Sequence, residues 1–190
     1  MSNNRTEDLK QAINIVVAVV RNIHMKNALH SACNDPTLNF WRIIYGNLLD
    51  MAVLEWSKLF GSDNKDHQPV HWKNMVPSSD HIKFLIGLHE YLDINAEEWR
   101  EYWETIKKFR DTNVAHWDYR QRDVTHYPVL ETALRATYYY YKYLNCELRY
   151  EGFVDSPNDI SEYSDKFSKQ TTEVAECALQ ATSAMEEKVG

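Results

Sequence analysis

Glycine and proline are so sparse in this sequence that long helices are the main fold left open to it. There are 5 of each in 190 residues, and neither occurs in 1–35 or in 88–127. A sandwich or barrel of short strands needs turn residues at close intervals, and these stretches supply none. Hydrophobic residues make up 44% and charged residues 26%, the balance of a globular chain with a packed core. Aromatic residues reach 13%, with 12 Tyr and 6 Trp. That favours bulky packing and an aromatic-rich contact surface.

Apolar residues recur at helical spacing along most of the chain. Leu9, Ile13, Val16, Val17, Val20, Ile23 and Ala28 predict a first helix over about 7–32, with Thr6 as its N-cap. The β-branched run within 15–20 is a mild strand signal, outweighed by the length of the periodic pattern. Asp35 and Pro36 read as the cap and first position of a second helix ending at Phe60, with Gly61 as its stop. Its stripe is Leu38, Trp41, Tyr45, Leu48, Ala52, Trp56 and Leu59, and Gly46 marks a close helix contact. The stretch 61–78 is irregular, with room for a short turn near Trp72. A third helix follows over about 79–91. A fourth opens at the capping-box pair Asn95 and Glu98 and carries Trp99, Trp103, Ile106 and Phe109 inward. A fifth runs from Pro128 to near Gly152, and a sixth starts in 156–159. The expected fold is therefore all-α, an up-and-down bundle of five to six helices. Residues 1–155 form the bundle, and 156–190 supply a C-terminal helix that packs on it or on a dimer partner.

Several function classes recede. The net charge of −7 argues against coating nucleic acid through a broad basic face, while leaving room for one local basic cleft. Cys33, Cys146 and Cys177 are scattered and lack metal-ligand spacing, as idle thiols of a reducing cytosol do. The N-terminal MSNNRTEDLK has no cleavage-like segment, and the apolar run 13–20 is short and broken by Asn14. The expectation is a cytoplasmic chain without signal peptide or membrane span.

The stretch that bears chemistry is 109–119, FRDTNVAHWDY. Arg110 is followed by Asp111 and, six positions after the arginine, by His116. On an unbroken helix six steps place two side chains about 120° apart. If both act on one substrate, the helix ends or bends there, or a second copy completes the site. The chemistry such a pair serves is cleavage of RNA through its 2′-OH. Histidine can take the proton of the attacking hydroxyl or supply one to the leaving oxygen. Arginine matches the charge gathering on the phosphate oxygens. The bland reading keeps Arg110 and His116 as surface or capping residues paired with Asp111 and Asp118.

The stretch resembles the signature of the HEPN superfamily, an arginine, a polar residue and a histidine in the form R-x(4–6)-H. Here that is Arg110, Asp111, TNVA and His116. The preceding YGNLLDMAVLEWSKLFG is similar to the AbiU-type abortive-infection branch, and the likeness extends loosely over about 10–150. The resemblance implies a bundle that dimerises around the motif. It also implies a metal-independent endoribonuclease of toxin–antitoxin or phage-defence type, acting on RNA without a cofactor and with a possible cognate antitoxin. Arg110 and His116 then carry the catalytic roles. Asp111 takes the polar position, and Asn113 and Tyr119 are supporting neighbours. A toxin subgroup carries R-x4-H-x-Y, but this chain has R-x5-H-x2-Y ending at Tyr119. Both gaps are off by one, which argues against Tyr119 as a modified tyrosine. The alternative is a non-catalytic HEPN-like dimer that binds nucleotide, RNA or a protein.

Other candidates are weaker. His67 and His71 stand four apart, with Asp80 and His81 nearby, but Pro69 intervenes and solvated loop histidines are the better reading. His24 and His30 read as helix-surface or packing residues. In the tyrosine-rich run 138–143, two or three rings face the core, and packing or dimer contact is the reading for the remainder. Asp50, Glu55 and Lys58 are candidates to support the motif across the bundle.

Overall fold

A computed structural model of the chain describes residues 2–62, 69–114, 127–153 and 156–185. These fold into seven α-helices: α1 (Ser2–Ala32), α2 (Asn39–Phe60), α3 (Trp72–Met75), α4 (His81–Leu92), α5 (Ala96–Phe109), α6 (Glu131–Tyr150) and α7 (Ile160–Thr182). No strand occurs among the described residues. The chain is all-α, as its scarcity of turn residues requires. The helix beyond the expected six is the single turn at Trp72. No helix of the described residues is long and apolar enough to cross a membrane.

The central element is α1, which packs against α2, α6 and α7. Three neighbours explain its β-branched run: Ile13, Ile15, Val16, Val19 and Val20 are all buried around one helix, a wider apolar sector than a surface helix needs. Next to it lies an aromatic layer. Trp56 stacks on Phe60 at 5.2 Å, and Phe60 meets the Tyr140 ring at 5.6 Å. Trp72 lies parallel to Phe84 at 5.0 Å. From the C-terminal side, α7 packs along α1, with Asp159 capping it by accepting from the Ser161 N–H. Arg21 donates to the Tyr163 hydroxyl at 2.6 Å, and Trp41 Nε1 to Thr182 Oγ1 at 2.9 Å.

The expected element starts need correction. Thr6 does not cap α1, which begins at Ser2; it is buried and donates to Glu151 Oε2 at 2.8 Å. Asp35 and Pro36 precede a short irregular link rather than opening α2, and Asp35 pairs with Arg42 at 3.1 Å. The buried face of α2 is Leu49, Ala52, Val53, Trp56, Leu59 and Phe60, and Trp41, Tyr45 and Leu48 of the expected stripe continue that face as half-buried residues. A Cβ on Gly46 would meet nothing within 4 Å. The close helix contact lies at Gly87 instead, where a Cβ would collide with the Tyr139 hydroxyl. α6 begins at Glu131, three residues beyond Pro128. The capping box of α5 forms as the sequence predicts: Asn95 Oδ1 accepts from the Glu97 and Glu98 N–H groups, and Glu98 Oε2 accepts from the Asn95 N–H at 2.7 Å.

Candidate functional site

The α-helical ladder of α5 gives way at Arg110 to a π-turn over Arg110–Val114. Two side chains on this turn bond carbonyls four residues back. Thr112 Oγ1 donates to the Lys108 carbonyl at 2.8 Å, and Asn113 Nδ2 donates to the Phe109 carbonyl at 3.3 Å. Side-chain donors aimed at carbonyls four residues back compete with the backbone ladder and loosen it. Widened turns of this kind recur at functional sites. The helix thus departs from regular geometry at the arginine of the motif. Asn113 is engaged in shaping the turn and also donates to Thr112 Oγ1 at 2.8 Å.

The Arg110 side chain is only 18% exposed. Its Nε and Nη2 both donate to Asp111 Oδ1, at 2.8 and 2.6 Å. The polar residue of the motif therefore holds one edge of the guanidinium. The other edge lies against Gly61 at the end of α2, where a Cβ would stand 3.1 Å from Nη1. Glu55 and Lys58, upstream on α2, pair with each other at 2.6 Å. Burial raises the pKa of Asp50 above its ordinary value. His116 and Tyr119 lie outside the described residues.

A residue the sequence reading misplaced stands behind this contact. His71 is 1% exposed, not a solvated loop histidine. Its Nδ1 accepts from the Lys73 N–H at 3.3 Å, and its Nε2 lies 3.0 Å from the Gly61 carbonyl. An accepting Nδ1 puts the proton on Nε2, so the ring is neutral and donates to that carbonyl. Its one sequence signal is position: it sits between Val70 and Trp72, two residues that bury. His81 is also committed, its Nε2 3.0 Å from both the Lys73 and Val76 carbonyls. His67 lies outside the described residues. Among the described residues no three His, Cys, Asp or Glu side chains stand together as a metal site.

A cleft of about 480 Å³ opens beside Gly61, between the α3 turn, α4 and α5. Its walls include Trp72, Lys73, His89, Trp99, Arg100 and Trp103. Trp103 Nε1 donates to the Phe60 carbonyl at 2.5 Å, which fixes its ring. His89 carries a buried Nε2 with no hydrogen-bond partner among the described residues, and burial lowers its pKa.

No protein-family model matches the chain, and neither a curated protein nor a solved structure shows significant similarity to it.

Proposed function

We propose that the protein is a metal-independent endoribonuclease of HEPN type that acts as a homodimer, in a toxin–antitoxin or phage-defence setting. The observation that carries this reading is the arginine of the R-x5-H motif at a π-turn, its fork oriented by the acidic residue of the same motif. Such an arginine is ready to meet a phosphate once the Asp111 contact is exchanged or shared. His116, two residues beyond the turn in sequence, is the acid–base group. As base it removes the 2′-OH proton. The 2′ oxygen then bonds to the adjacent phosphorus while the P–O5′ bond breaks, and the leaving 5′ oxygen gains a proton from an acid. The products are a 2′,3′-cyclic phosphate and a 5′-hydroxyl. A second His116 from the partner subunit supplies the acid, and Arg110 balances the charge of the pentacoordinate phosphorane.

The test is incubation of mixed RNA with the purified protein in EDTA, beside His116→Ala. The parent leaves cyclic-phosphate ends, and the variant is slower by about 10²-fold or more. Equal degradation by both, or by neither, overturns the mechanism. The second reading, a non-catalytic RNA-binding dimer, is favoured by the ion pair that occupies much of the Arg110 fork. It predicts binding without ends.

A further inference from the structure

We infer that the tryptophan-lined cleft on α5 is a stacking groove for single-stranded RNA bases, leading the strand to Arg110; the inference rests on the RNA reading above. Trp99, Arg100 and Trp103 line the cleft. Lys107 and Arg110 follow at three- and four-residue steps, which keeps them on one helix face. Lys107 Nζ sits 5.6 Å from the Trp103 ring centroid. From Trp99 to Arg110 the helix rises about 16 Å, the length of about five stacked nucleotides. The face alternates aromatic rings with cations, the pattern that binds a nucleic acid strand by stacking and backbone attraction.

Charge makes the occupant specific. The chain holds 28 acidic residues against 21 basic ones, yet among the described residues no carboxylate lines this cleft, while Lys73 and Arg100 do. Among the described residues Arg100 is held only by an exposed 3.7 Å pairing with Glu97. Trp99 and Trp103 are half-buried, each presenting part of a ring. The volume of about 480 Å³ falls in the range of small-ligand sites, enough for a flat base. Gly61, part of the same wall, lies beside Arg110, whose Nη1 would stand 3.1 Å from a Cβ placed on it. A base held here would place its neighbouring phosphate toward the motif arginine.

The experiment measures binding of a 5′-labelled ten-nucleotide single-stranded RNA by fluorescence anisotropy, in EDTA, on the full-length His116→Ala protein so that no turnover intervenes. Trp103→Ala should weaken binding about five- to a hundredfold, and Trp103→Phe should restore most of it. Arg100→Glu, a surface change, should weaken it several-fold and flatten the salt dependence. Circular dichroism shows that each variant is folded, and a ten-nucleotide abasic strand serves as control. Equal affinity for the abasic strand, no binding at all, or unchanged affinity in both Trp103→Ala and Arg100→Glu overturns the groove. Groove-dependent binding by a parent that leaves no cyclic ends retains the groove and removes the ribonuclease. Cleavage with unaltered binding in both variants does the reverse.

Discussion

Gly61 is where three distant parts of the chain meet. Its N–H donates to the Ser57 carbonyl at 2.9 Å, ending α2; its carbonyl receives His71; its α-carbon faces Arg110. With φ at −73° the residue is not there for a left-handed turn. It is there because a side chain would collide with the Ser57 carbonyl and press on the guanidinium. Gly61→Ala should therefore lower stability by about 1–3 kcal/mol, read as a reduced midpoint in urea unfolding. A midpoint equal to the parent's would show that the Ser57 carbonyl and Arg110 both give way without cost. Little of this was legible in the sequence. Gly61 reads as a helix stop whatever lies beside it, and nothing near it announces that positions 71 and 110 arrive at the same point.

Among the elements, α6 shows how a tyrosine run can serve as a framework. Tyr139 donates to the Phe84 carbonyl, Tyr140 to Val70, Tyr141 to Pro157 and Tyr143 to Met75. Tyr138 bonds Ser164 on α7. One helix thereby reaches α4, the segment around α3, the link before α7, and α7 itself. The sequence correctly assigned some of these rings to the core. It did not show that the outer ones clamp neighbouring segments, because a hydroxyl's partner depends on where other segments pass. Tyr140 is fully buried, so Tyr140→Phe leaves the Val70 carbonyl without its donor and should cost about 1–3 kcal/mol. Urea unfolding measures it, and a loss no larger than for Tyr139→Phe, at a half-buried ring, would contradict the account. The sequence offered a break in α5 only as one of two alternatives, the other being a second copy, for Arg110 and His116 to act on one substrate. Its form was not legible, since the π-turn depends on which carbonyls Thr112 and Asn113 reach.

For the molecule as a whole, the docking of α7 onto α1 and α6 runs through a small polar cluster. His24 Nε2 lies 2.5 Å from Ser164 Oγ, which also bonds Tyr138. Burial pulls the His24 pKa below its ordinary value, against the opposing pull of Glu131 and Asp165. His89 is lowered for the same reason. Each ring stays neutral in the folded chain at pH values where the unfolded chain has already taken up a proton. Stability contributed this way is complete above the ordinary value of 6.5 and falls as the pH drops below it. Melting temperature should thus decrease from pH 7.0 to pH 5.5, and His24→Gln should make that decrease shallower. Equal pH slopes in parent and variant would rule His24 out as a source. The fold class was legible from the distribution of breakers and apolar residues alone. The place of the tight helix contact was not, because it is set by a pair of helices and no single segment carries it.

Four of the tyrosines on α6 end on main-chain oxygens. Every residue type offers that acceptor, so the identity of the clamped side chain is irrelevant to the bond. The four bonds themselves therefore place no demand on the side chains at positions 70, 75, 84 and 157, whereas the hydroxyls have no such latitude. What constrains positions 70, 75 and 84 is instead the burial of their own side chains in the core.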